Sequence, residues 1–204
     1  MNRLLRKLSL AAPIAVAALA LSPIIAQAQK IYIVDGGRTT LTLSKAVLAD
    51  FTALGITPTA IAGSQVYNNQ IYFPITSGAV NLDNAYGQML HAGGINLTAG
   101  TKQVRLDSFI FSTSGEESLV TALVIVDGKF LGRIRVFDLE LPSDLTLPLD
   151  PKDGDFFLAG VKWNLDPQAV AALNDAFKTE VFKNNLFIGD SLSLVLMPLN
   201  ADGQ

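Results

Sequence analysis

The chain has 204 residues, no cysteine, one histidine and 15 basic against 18 acidic side chains. Without cysteine, a disulfide scaffold, a thiolate metal site, a redox thiol and a cysteine nucleophile are excluded together. The mildly acidic balance repels nucleic acid phosphates and anionic lipid, which excludes both as partners of the kind that basic patches recruit.

At the amino terminus Arg3, Arg6 and Lys7 precede an apolar stretch, Leu8 to Ile25, that ends on Ala26-Gln27-Ala28. This order predicts a cleavable signal peptide over residues 1–28, cut after Ala28. A membrane anchor would need about 20 apolar residues free of breakers, whereas Pro23 ends this stretch just before the cleavage site. Removing the leader leaves residues 29–204 with 12 basic and 18 acidic side chains, a net charge of −6. The expectation is an exported, soluble protein, periplasmic or extracellular, with no membrane span after leader removal.

Short β-rich runs follow, separated by Gly, Asn and Asp. Lys30–Val34 stops at Asp35-Gly36-Gly37, and Arg38–Leu43 comes next. Ser44 then has the side chain to cap a short helix with apolar positions Val47, Leu48, Phe51 and Leu54, closed by Gly55. Ile71–Ile75 is a run of β-formers, and Gln88–His91 and Ile95–Thr98 flank Gly93-Gly94. Lys102–Thr113 and Ser118–Asp127 are joined by Ser114 to Glu117, and Asp127-Gly128 turns the chain into Lys129–Leu141. The alternation in Lys102–Thr113 slips at Phe109, Ile110 and Phe111, which predicts either a bulge or a strand passing between two covered faces. Leu119–Val126 is apolar on both faces and reads as a central strand.

Residues 141–156, rich in Pro and Asp, read as a surface loop. After Val161–Leu165, Asp166 and Pro167 open a second helix with Val170, Leu173 and Phe177 on one face. Ser191 to Leu196 alternates as a strand with three leucines facing one way. The predicted fold is mainly β: one antiparallel β-sandwich domain over 29–204, with two short docked α-helices.

Candidate chemistry is sparse. Gly189-Asp190-Ser191-Leu192 spells the motif of a serine esterase family, but it lies near the end of the chain, inside a strand pattern, with no histidine after it. His91 is the sole imidazole, so any triad or imidazole base must use it. It stands at a strand end before a glycine turn, where it serves either as a ligand or as a hydrogen-bonded structural residue. Asp150, Asp153 and Asp155 are calcium candidates, although the twelfth residue from Asp150 is Val161 rather than the glutamate that an EF-type loop requires. No phosphate loop or dinucleotide fingerprint occurs. The expectation is a non-enzyme.

Several segments together resemble the HtaA-type haem-uptake domain of exported bacterial proteins. They are Tyr72-Phe73-Pro74-Ile75 with the turn after it, Gly87 through Gly94 with His91, Ile95-Asn96-Leu97, the helix from Leu165-Asp166 to Phe177, and the strand after Gly189. This resemblance implies a β-sandwich and a haem ligand held by a tyrosine on the first helix, supported by the histidine that His91 matches. Here the first helix carries Phe51 and no tyrosine, and Leu90 stands where the family has glycine. Tyr67, Tyr72 and Tyr86 are then the alternative oxygen donors. Two functional expectations follow. One is a non-enzymatic domain that binds a small ligand or an envelope or surface component, in a binding, adhesion or envelope-structural role. The other is a haem-binding module using His91 and a tyrosine, with an esterase-type hydrolase a distant third.

Overall fold

A computed structural model describes residues 31–151 and 154–197. The leader, Asp153 and the carboxyl-terminal residues from Pro198 lie outside the described residues. In chain order the elements begin with β1 (Ile31–Val34), β2 (Gly36–Leu43), α1 (Lys45–Leu54), β3 (Thr57–Ile61), β4 (Gln65–Tyr67), β5 (Gln70–Asn81) and β6 (Tyr86–His91). There follow β7 (Gly94–Ala99), β8 (Lys102–Ser112), β9 (Leu119–Val126), β10 (Lys129–Glu140), β11 (Asp155–Leu165), α2 (Pro167–Phe177) and β12 (Phe187–Leu196).

The mainly β, antiparallel architecture with two helices matches the expectation, but the sandwich does not. The strands close into an eight-stranded barrel in the order β5-β2-β12-β11-β10-β9-β8-β6. Closure depends on β6, which pairs with β5 through Ser77↔Leu90 and with β8 through Leu90↔Ile110. A sandwich and a barrel share the same inside–outside alternation along each strand, so the hydrophobic pattern cannot choose between them. The bend that closes the ring comes from bulges. In β8 the register slips between Asp107 and Ile110, where Ser108 takes φ 53°. This is the slip that the Phe109–Phe111 pattern foretold, and it keeps both Phe109 and Phe111 inside.

Local chemistry explains the element ends. Ser44 Oγ accepts from the Val47 amide, and Gly55 closes α1 with φ 65°. Asp166 accepts from the Gln168 amide ahead of Pro167. Asp127 and Gly128, with φ 48° and 82°, make the tight turn between β9 and β10. Gly37 is required by geometry: its φ is 126°, and a Cβ there would lie 2.1 Å from the Leu194 carbonyl oxygen.

Three storeys fill the barrel. At one end α1 and α2 plug the opening, where Phe51, Ala169 and Leu173 share a void with Leu41, Leu106, Val124 and Val136, and Val47 is fully buried. In the middle, Trp163 is surrounded by Phe73, Phe111 and Phe137 at ring separations of 6.3, 4.9 and 5.1 Å. At the far end Leu141, Leu145 and Leu149 of the segment between β10 and β11 line a small void with Met89, Phe111 and Phe156. The Leu149 amide donates to the Leu82 carbonyl at 2.7 Å and ties this segment down. Apolar side chains therefore make part of the Pro- and Asp-rich segment a stopper for the barrel mouth.

Candidate functional site

His91 points into the barrel and is 3% exposed. It does so because β6 alternates, with Met89 and His91 inward and Tyr86, Gln88 and Leu90 outward. Its ring lies 4.1 Å from that of Phe111, and its Nε2 is 2.8 Å from Thr39 Oγ1. Thr39 Oγ1 is in turn 2.9 Å from Ser193 Oγ. A hydroxyl has one proton to give and two lone pairs, so Thr39 serves both neighbours at once. Nδ1 has no hydrogen-bond partner within the described residues. Burial lowers the imidazole pKa to about 4, while the Met89 and Phe109 backbones act weakly in the opposite sense. At neutral pH this ring is uncharged.

The Ser191 hydroxyl is likewise inside, 4% exposed, and accepts from Trp163 Nε1 at 2.9 Å. It belongs to the middle of β12, paired with Leu41 on one side and Val161 on the other. The imidazole bonds to Thr39, whose hydroxyl in turn meets Ser193 and not Ser191. The Gly-Asp-Ser-Leu tetrapeptide is thus a strand segment whose serine satisfies an indole N–H.

The three candidate tyrosines lie on the other side of the wall. Tyr67 and Tyr86 are exposed, and Tyr72 is half-buried between the inward residues Ile71 and Phe73. None faces His91. Tyr72 donates its hydroxyl to Gln70 Oε1 at 2.5 Å, and the Arg38 guanidinium sits 5.3 Å from its ring centroid. Asp150 and Asp155 form no cluster of three or more metal-ligating side chains among the described residues. Phe51, at the position where the resemblance implied a tyrosine, packs with Leu43 and Phe182 at the helical plug.

Sequence reasoning missed the outer face of the wall formed by β11, β12, β2 and β5. Two registers cross it. One runs Phe157↔Leu194↔Arg38↔Pro74, and the next Ala159↔Leu192↔Thr40↔Tyr72. Phe157 is 65% exposed, Leu192 46% and Leu196 41%. The outer face of an antiparallel sheet is ordinarily its polar face, so a contiguous apolar strip here is informative. The signal was in the alternation of Ser191, Leu192, Ser193 and Leu194, which forces one pair out when the other goes in.

The interior offers little room. The void against the helical plug measures about 50 Å³ and that under the Leu141–Leu149 stopper about 30 Å³. Each void has room for only a few water molecules, so neither admits a cofactor.

The geometry defines a class: a closed all-β barrel with a helical plug and one buried neutral imidazole. No protein-family model matches the chain, and no curated protein matches it in sequence. Solved structures do. The C-terminal domain of HtaA from Corynebacterium glutamicum matches with a TM-score of 0.63 at 19% identity, covering 82% of this chain and 99% of that one. The haem-binding protein HtaB of the same organism matches at 0.59 and 7% identity, over 84% and 98%. The N-terminal domain of HtaA matches at 0.60 and 8% identity, over 81% and 98%. The fold is that of the HtaA-type domains, a distant resemblance at these identities.

Proposed function

We propose that the mature chain is an exported, non-enzymatic haem-binding module of the uptake or transfer kind. The observation that carries this reading is the likeness of its barrel to HtaA domains and to the haem-binding protein HtaB over nearly their whole lengths. Export rests on the leader, and the described residues contain no helix long and apolar enough to cross a membrane.

The residues bear unevenly on where haem would sit. The interior does not fit it: His91 is enclosed and tied to Thr39, and the voids at the helical plug and under the stopper are far smaller than a porphyrin. The outer surface fits in chemistry. Tyr67 and Tyr86 present exposed phenol oxygens there and Tyr72 a half-buried one bonded to Gln70, the donor type that suits ferric iron, and Leu192 is exposed two strands from Tyr72. Bound haem would bring the electronic chemistry of its iron. The protein's part is to hold the macrocycle, anchor its carboxylates and leave it accessible for transfer. His91 instead holds the wall behind that surface through Thr39 and Ser193.

The test is a titration of the mature chain with ferric haem. A saturable Soret shift is expected, and Tyr67→Phe, Tyr72→Phe and Tyr86→Phe assign any phenolate ligand by loss of its charge-transfer band. No Soret change at any ratio overturns the haem reading. It would leave an exported barrel with an adhesion or envelope role.

A further inference from the structure

The apolar strip on the outer wall lies beside a cation that no acid neutralises. Arg38 makes no ion pair among the described residues; its contact is the face of Tyr72. Arg105 pairs with Asp107, Arg135 with Glu117, Asp138 and Asp166, Lys102 with Asp127, and Lys162 with Glu140, while Arg133 on β10 donates to the Ser108 and Thr121 carbonyls. In a chain with excess acid, an unengaged guanidinium at the border of an exposed apolar strip is complementary to an apolar anion. Strand spacing sets the scale. Leu192 to Leu196 runs about 13 Å along β12, with Phe157 about 5 Å to one side on β11 and Arg38 about 5 Å to the other on β2, a strip that matches the length of a flat polycyclic ligand.

We propose that the outer wall of β11, β12, β2 and β5 is a porphyrin seat. Leu192, Leu194 and Phe157 receive the macrocycle face, and Arg38 pairs with a carboxylate at its edge. Tyr72 is a positioning residue that holds Arg38 over the wall by a cation–π contact. This inference rests on the haem reading and deepens it by naming the surface and the recognised groups. Binding at this seat is carried by apolar contact and a carboxylate pair, so it does not depend on iron. A second copy of the chain is the rival occupant, since Leu192 and Leu194 could pack on their equivalents. The free guanidinium weighs against it, because a two-fold contact through this strip would bring two Arg38 side chains near each other.

The experiment compares ferric haem, metal-free protoporphyrin and the dimethyl ester of protoporphyrin on the mature chain and two variants, with circular dichroism as the folding control. The mature chain is expected to bind all three. Arg38→Gln weakens the two dicarboxylates about tenfold and leaves the ester unchanged. Leu194→Glu removes binding of all three. If ferric haem binds but both variants bind it as the parent does, the seat is overturned and the haem reading stands. If no porphyrin binds, both fall. Equal loss of ester and diacid in Arg38→Gln overturns the carboxylate role. A parent dimer that Leu194→Glu splits without changing porphyrin binding makes the strip a self-association face and overturns the proposal.

Discussion

The two faces of β12 invert the usual distribution of side chains. Its inner face carries Ser191 and Ser193 into the core, while its outer face shows Leu192, Leu194 and Leu196 to solvent. On β9 the inner face is conventional, with Val120, Ala122 and Val124 fully buried, and the outward Leu119, Leu123 and Ile125 are half-buried. The difference is set by partners. The Trp163 indole and the His91 imidazole each need a hydrogen bond in a dry interior, and the two serines supply or relay them. Burying the leucines instead would exchange modest apolar burial for an unsatisfied indole N–H and for the loss of Ser193 from the Thr39 hydroxyl that serves His91. The lesson is that polar residues inside a barrel can fix the register of a strand, and that the displaced apolar face is then available for binding.

Four predictions break or sharpen this contrast, beginning with the largest expected effect. Trp163→Ala empties the centre of the aromatic storey and should lower stability by about 3–5 kcal/mol, read by denaturant unfolding. Next is pH. The folded imidazole pKa is lowered to about 4 from 6.5, so between those values the unfolded chain binds the extra proton. His91's contribution is therefore intact above pH 6.5 and is lost as pH falls toward 4, at up to about 1.4 kcal/mol per pH unit. Comparing unfolding curves of the parent with His91→Phe isolates this contribution, since the variant should lack that part of the slope.

Ser191→Ala leaves the Trp163 N–H unsatisfied and should cost about 1–3 kcal/mol. The same variant should leave any ester hydrolysis in the preparation unchanged. Smallest is Leu192→Thr on the outer face, expected within about 0.5 kcal/mol of the parent. A larger loss there would mean that the outer leucines are covered in the folded protein, and would remove the contrast between the two faces.

Much of this arrangement was legible locally. Ser44 with Gly55, and Asp166 with Pro167, mark both helices, because caps and breakers act within a few residues. The slip at Phe109–Phe111 betrayed the β8 bulge, and Asp127-Gly128 its turn. Thr39 was readable as an inner residue from its parity with Leu41 and Leu43. The candidate ligands were not placed so well. His91 and the tyrosines looked equally available as letters, yet alternation set His91 inside and Tyr72 outside the wall.

The sequence by itself determined the cysteine-free, acidic and β-rich character of this protein, its turns and its two capped helices. Each of these depends on composition or on neighbours a few positions apart. Only the tertiary structure decided that the strands close into a barrel, that the serines of β12 face inward, and that Arg38 borders a strip made from β11 and β12. Those outcomes depend on pairings between residues far apart in the chain, such as Leu90 with Ile110 and Leu194 with Arg38. A two-residue period records which side chains share a face, but not which face is the inside.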